Sequence, residues 1–298
     1  MPESTKNNLT LRILRAASNG GYGILAQSCY DTQSVLGLIE AAEEAKSPAI
    51  AQLFPVTMQQ FGIHFTSFVI QACHAAKVPI AVHVDHAGTD EDIDRVLDWA
   101  EQGVAVDSIM IDCSHHDSDE DNIAMAKPYC QRATKLGMAV EVELGRLAGG
   151  EEGVRVIEEG ALTKPEKAER FLTELDVDLL APSIGNIHGR YVSPPSFRLD
   201  LLDKLQSTVG PGTASNALIV LHGTDDLKDE LFRDCVARGC VKINVNSWAR
   251  NPQVEYLRDH LGKDGLPEVY DGAKAEFARA CSRFFTLFGS VNKSNLEV

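Results

Sequence analysis

Eight short runs of apolar and β-branched residues recur along the chain, each closed by polar or glycine-rich positions and each followed by a helical pattern. They cover residues 22–27, 48–53, 79–85, 107–113, 138–145, 178–184, 217–223 and 241–246. Several are nearly continuous in apolar character, as in Ala217-Leu218-Ile219-Val220-Leu221, which suits parallel strands covered on both faces rather than half-exposed hairpins. The helical segments carry their own punctuation. After Thr89, residues Ile93, Val96, Leu97 and Ala100 fall on one stripe. Thr163 with Glu166 three positions on reads as a capping box, with Pro165 inside the first turn. Gly103, Gly137 and Gly239 close helices ahead of the next strand. The spacing is roughly 31 residues per strand–helix unit, as eight units of a (βα)8 TIM barrel require.

An open doubly wound sheet uses the same alternation, but the count reaches eight and no G-x-G-x-x-G follows the first strand. No linker or repeat divides the chain, so a single α/β barrel domain over 1–298 is expected. Residues 271–288 read as a final amphipathic helix, and 290–298 as a frayed tail.

Composition narrows the class of partner. The chain has 298 residues, 44% hydrophobic and 24% charged, and a net charge of −15, so nucleic acid and anionic membranes are repelled rather than gathered. An anionic substrate then depends on local cations, a metal or backbone N–H groups. Seven cysteines without a C-x-x-C pair give neither a disulfide framework nor a cysteine zinc site. A reducing, cytoplasmic location is therefore expected, and neither an apolar leader nor a membrane-length apolar run calls for export or insertion.

In a barrel of this kind chemistry sits at the C-terminal ends of the strands. There the sequence places His83-Val84-Asp85-His86, then Asp112, Glu141 and Glu143, Gly185-Asn186-Ile187-His188-Gly189, His222-Gly223, and Asn244 to Ser247. Three histidines from three strands, His86, His188 and His222, suit a catalytic zinc that keeps an open position for water or substrate. His83 is expected to point into the barrel without ligating. His115 and His116 read as part of a solvated loop, and His64, His74 and His260 as helix residues. Residues 146–153 join three glycines to Glu151 and Glu152, a mobile loop able to carry a carboxylate over a bound substrate.

These motifs together resemble the class II, zinc-dependent fructose-bisphosphate and tagatose-bisphosphate aldolases. The carriers are Val84-Asp85-His86, Met110-Ile111-Asp112, Glu141-Val142-Glu143-Leu144-Gly145, Gly185 to Gly189, Leu221-His222-Gly223 and Lys242-Ile243-Asn244-Val245, in order along nearly the whole chain. The resemblance implies that His86, His188 and His222 hold zinc, with Glu143 and Asp112 as further ligands when the site rearranges, and a monovalent cation as second ion. It implies Asp85 as the acid/base at the C4 oxygen and Glu152 as the loop carboxylate at C3. Substrate contacts fall to Gly189, Gly223, Asn244, Asn246 and Ser247. The implied reaction is reversible cleavage of fructose 1,6-bisphosphate to dihydroxyacetone phosphate and glyceraldehyde 3-phosphate, by a homodimer or larger homo-oligomer.

Departures from the family pattern bear on substrate. The segment His222-Gly223-Thr224-Asp225-Asp226 has carboxylates where a phosphate-binding serine is usual. Val192 stands in place of a common lysine, with Arg190 and Arg198 as candidate substitutes; Phe54 replaces a serine or threonine, and Ser28 an asparagine. A differently phosphorylated or unphosphorylated ketose is therefore the alternative substrate, and a non-catalytic metal-binding homologue the alternative class. A barrel zinc hydrolase lacks its H-x-H pair at Ala26-Gln27-Ser28.

Overall fold

The computed structural model describes residues 5, 7–112, 118–145, 147–149, 161–191 and 195–296. Its centre is a closed barrel of eight parallel strands: β1 (Ile24–Ser28), β2 (Ala49–Leu53), β3 (Ile80–Ala87), β4 (Ser108–Ile111), β5 (Ala139–Leu144), β7 (Leu179–Pro182), β9 (Leu218–Leu221) and β10 (Cys240–Val245). Two further strands, β6 (Ala148–Gly149) and β8 (Ile187–His188), pair with each other above the rim. Closure is made by β1, which pairs with β2 on one side and with β10 on the other, Ile24 opposite Lys242 and Ala26 opposite Asn244. Each of the eight apolar runs supplies one barrel strand.

Helices α2 (Thr32–Ala45), α3 (Pro55–His74), α4 (Asp90–Glu101), α5 (Asp119–Lys135), α6 (Pro165–Leu175), α7 (Leu199–Val209), α8 (Asp229–Ala237), α9 (Ser247–His260) and α10 (Leu266–Phe288) follow the strands, and α1 (Leu9–Gly20) precedes them. The outward strand residues Val82, Val84, Ile109, Val140 and Ile219 join the helices' buried faces in one continuous core. Helix α4 shows why its sequence forms a helix. Thr89 Oγ1 accepts from the Asp92 amide at 3.1 Å, three acids occupy the first turn, and Ile93, Val96, Leu97 and Ala100 are buried.

A separate cluster fills the lower barrel, where Leu11, Ile13 and Leu14 of α1 meet Ile24, Ile50, Ala81 and Val220. Asn8 caps α1, accepting from the Leu11 amide at 3.1 Å, and its own amide donates to the carbonyls of Asp107 and Gly137. Helix α1 therefore stoppers the barrel and leaves the opposite rim as the open end.

Two local expectations are corrected. Thr163 does not cap α6. Its hydroxyl donates to the Leu144 carbonyl and accepts from the Ser183 amide, so it bridges strand ends, and Lys164 is the cap residue. The tail does not fray up to Leu296: Ser290 is buried and bonded to Ser47 at 2.8 Å, Asn292 and Ser294 donate to the Ala45 and Lys46 carbonyls, and Leu296 packs into the lower cluster.

Candidate active site

The geometry of the rim begins with a backbone irregularity. Successive residues of a regular strand point to opposite faces, which would send Asp85 and His86 apart. His86 instead has φ +53°, and the β3–β4 register shifts between Val84 and Ala87. A non-glycine residue in this left-handed region carries strain that surrounding contacts must hold. The result is that Asp85 and His86 are both buried at the site, 2% and 7% exposed.

His188 is carried above the barrel by β8 and tied to the end of β9. Asn186 donates to the His222 carbonyl at 3.0 Å, and Tyr191 donates its hydroxyl to the Gly223 carbonyl at 2.8 Å. Gly223 has φ +65°, and a Cβ there would lie 2.3 Å from the Ile187 carbonyl oxygen. Gly223→Ala is therefore expected to cost more than the ~1–2 kcal/mol of a left-handed alanine and to separate His188 from His222. A lowered denaturant midpoint together with weakened metal binding would show both effects.

The three imidazoles converge. Ring centroids are 4.9 Å apart for His86 and His188, 5.0 Å for His86 and His222, and 6.0 Å for His188 and His222. Glu143 completes the group, its Oε2 3.9 Å from His222 Nδ1 and 4.0 Å from His188 Nε2, and one donor atom from each of the four residues lies within 4.8 Å of the others. All four side chains are buried.

Two observations fit a metal here. His222 Nδ1 and Glu143 Oε2 are buried without a hydrogen-bond partner among the described residues, and such atoms rarely persist without water or an ion to satisfy them. The surroundings are also rich in negative charge. Burial would lower the His86 pKa, yet Asp85, Asp112 and Glu143 raise it to about 10, while burial and Asp112 lift Glu143 to about 7. The negative surroundings that hold a proton on His86 would equally favour a cation in its place, and imidazoles with one carboxylate are a zinc-compatible donor set.

Other hydrogen bonds set which ring nitrogens face the cluster. Nδ1 of His86 bonds Asp112 Oδ2 at 3.0 Å, leaving Nε2; Nε2 of His222 bonds Glu141 Oε1 at 2.9 Å, leaving Nδ1. Asp112, expected as a further ligand when the site rearranges, here stands behind His86, with Oδ2 engaged on the far side of the ring. From that position a carboxylate can orient the imidazole it bonds.

Asp85 accepts from Asn244 Nδ2 with both oxygens, at 3.2 and 3.1 Å. Burial would raise its pKa, but His86, His222 and Lys242 outweigh that and hold it below the ordinary value, so it is available as a base. His83 is fully buried with Nδ1 2.8 Å from Ser108 Oγ, and burial followed by the Lys242 charge pushes its pKa down to about 3. It is a neutral interior residue, as the sequence suggests, and not a member of the four-residue cluster.

Gly223, Asn244 and Asn246 line the small hollow beside the histidines, together with Ser28. Gly189, Asn246 and Ser247 line an adjoining cavity of about 660 Å³ with Arg190, Asp225 and Asp226. Asn246 borders both, and Tyr30 donates its hydroxyl to Asn246 Oδ1 at 2.8 Å. Phe54 stacks near His86 at 6.5 Å between centroids, an apolar wall where the sequence pattern favours a hydroxyl. Glu152, His115, His116 and Val192 lie outside the described residues.

The class II fructose-bisphosphate aldolase family model matches residues 8–293. The chain belongs to this family. As an aldolase, a carbon–carbon lyase, it is 33% identical to the fructose-bisphosphate aldolase of Thermus caldophilus, over 95% of this chain and 98% of that protein. It is 30% identical to the sulfofructosephosphate aldolase of Alkalicoccus urumqiensis, over 95% and 96% of the two chains. A crystal structure of a protein from Coccidioides immitis superposes with a TM-score of 0.91 at 33% identity, covering 97% of this aldolase and 99% of that chain. No helix among the described residues is long and apolar enough to cross a membrane.

Motif reading passes over Lys242 as a member of a strand signature and places Glu141 at the rim without giving it a role. Both were accessible by strand alternation, since each lies two positions before a rim residue, Glu143 and Asn244, and so shares its inward face.

Proposed function

We propose that this aldolase is zinc-dependent and cleaves a ketose bisphosphate between C3 and C4, with fructose 1,6-bisphosphate as the leading substrate. The observation that carries the reading is the His86–His188–His222–Glu143 cluster lying beside a buried aspartate, Asp85, held by a fork from Asn244. The histidines and Glu143 would hold the ion. Bound zinc would supply positive charge against which the enediolate's negative charge develops. Asp85 accepts the C4 hydroxyl proton as the C3–C4 bond breaks and returns it in condensation. Glu152, in the glycine-rich segment that follows β5 in the sequence, delivers the proton to C3. The same reading makes the enzyme cytoplasmic and a homodimer or larger, which sedimentation equilibrium checks.

The test is an assay of zinc-loaded protein against a panel of phosphorylated and unphosphorylated ketoses. Chelator-sensitive release of a triose phosphate from fructose 1,6-bisphosphate supports the proposal; turnover that survives complete metal removal, or no cleavage of any ketose, overturns it.

A second reading, a substrate lacking the phosphate at the far end, is favoured by one contact. Ser247 Oγ donates to Asp225 Oδ1 at 2.5 Å, so the hydroxyl expected to hold a phosphate is engaged by a carboxylate, with Asp226 lining the same cavity. On this reading Asp225→Ser raises kcat/KM for fructose 1,6-bisphosphate at least tenfold and leaves an unphosphorylated ketose within about twofold. Efficient wild-type cleavage of the bisphosphate with no gain in Asp225→Ser excludes it.

A further inference from the structure

Lys242 is fully buried, on the inner face of β10, where an uncharged side chain would spare the chain the removal of an ammonium from water. Its Nζ lies 2.8 Å from Glu141 Oε2 and 2.9 Å from Asn244 Oδ1. Each of those partners then reaches into the site, and the two meet at His222, whose Nε2 also lies 3.1 Å from Asn244 Nδ2. The other oxygen of Glu141 bonds His222 Nε2, and the amide nitrogen of Asn244 forks onto both oxygens of Asp85. A single ammonium thus stands between the metal cluster and the acid/base.

We propose that Lys242 is a positioning residue that fixes, through Glu141, which nitrogen His222 turns to the metal and, through Asn244, the orientation of the Asp85 carboxylate. The chemistry runs one way in both arms. An ammonium only donates, so it draws the Asn244 carbonyl oxygen toward itself and leaves the NH2 group facing Asp85. Without it the Asn244 amide can turn by half a rotation and present oxygen to a carboxylate. In the other arm, an ionised Glu141 only accepts, so His222 must place its proton on Nε2 and keep the Nδ1 lone pair for the cluster. His83 turns Nε2 toward both arms but stays beyond hydrogen-bond distance, 3.7 Å from Glu141 and 3.9 Å from Asp85, while its Nδ1 bonds Ser108, so it does not substitute for the ammonium.

The inference rests on the metal-dependent reading above, and its test separates the two. Cobalt(II) serves as the probe in wild type, Lys242→Met and the double variant Glu141→Leu/Lys242→Met, the last because removing both members of a buried ion pair is often tolerated when removing one is not. Three readouts are taken on folded, cobalt-saturated protein: the visible ligand-field spectrum, the cobalt dissociation constant by chelator competition, and kcat and KM separately. Outer partners of metal-binding histidines typically carry 10–100-fold of affinity. The expected result is a changed spectrum, a 10–100-fold weaker cobalt affinity and a kcat at least 100-fold lower, with KM within about threefold, in whichever variant folds. A wild-type spectrum with kcat within threefold in a folded variant overturns the positioning role while leaving the metal reading intact. A wild type that neither binds cobalt nor turns over with it overturns both.

Discussion

Replacing His188 with alanine is expected to abolish stoichiometric zinc binding and to reduce turnover by at least 1,000-fold while the barrel stays folded. The physical ground is that His188 sits on the two-residue strand β8, outside the main barrel, so its loss removes a donor without opening the lower core packed around α1. Rim residues of such barrels contribute chemistry rather than core packing. His86→Ala and His222→Ala should lose zinc equally, but His222→Ala also strips a partner from Glu141, so His188→Ala is the cleaner experiment. Thermal unfolding supplies an independent readout. A ligand at 1,000 times its dissociation constant adds ~4 kcal/mol to stability, so wild type should melt higher with zinc than with chelator, and His188→Ala should show no such difference. Asp112→Ala is the internal control. Because Asp112 stands behind His86, it should weaken zinc by only ~10–100-fold, whereas a true ligand at that position would match the histidine variants. Wild-type zinc stoichiometry and turnover in His188→Ala would show that the cluster is not the metal site.

The barrel was legible in the sequence because parallel strands covered on both faces must be apolar at nearly every position. The run 217–221 therefore announces β9 without help from its neighbours. The three histidines of the cluster were legible for a related reason, since a histidine at a strand end in such a fold has little to do with packing, and Glu143 was legible through its family motif. The parts that stayed hidden depend on backbone geometry or on distant pairing. Nothing in Val84-Asp85-His86 states that His86 adopts a left-handed conformation, yet that φ brings Asp85 and His86 to one site. Asp112 is the first residue after the end of β4 and could equally face the ion or the back of a histidine ring. The Glu141–Lys242 pair joins residues 101 positions apart, and only barrel closure puts β5 and β10 across the same interior. Thr163 misled because a threonine three positions before a glutamate satisfies the capping pattern, while the free end of β5 offered its hydroxyl a competing carbonyl.

Asp85→Asn is expected to lower kcat for ketose cleavage by ~10²- to 10⁴-fold, the usual range for one general acid/base group, without emptying the site when zinc is saturating. Asparagine matches the carboxylate in shape but cannot take up the C4 hydroxyl proton. It still presents one oxygen to Asn244, so the fork of 3.2 and 3.1 Å is halved rather than lost. The loss of a negative charge beside the ion should weaken zinc somewhat, which is why saturation must be shown first. What distinguishes the assignment is the partial reaction. Exchange of the C3-derived proton of dihydroxyacetone phosphate with solvent needs the metal and the loop carboxylate, and it involves no C4 oxygen. Asp85→Asn should therefore retain exchange while losing cleavage, and Glu152→Ala should lose exchange itself. If Asp85→Asn stopped exchange as completely as cleavage with zinc bound, Asp85 would be serving the enediolate rather than the C4 hydroxyl, and the division of labour between the buried aspartate and the loop would have to be reversed.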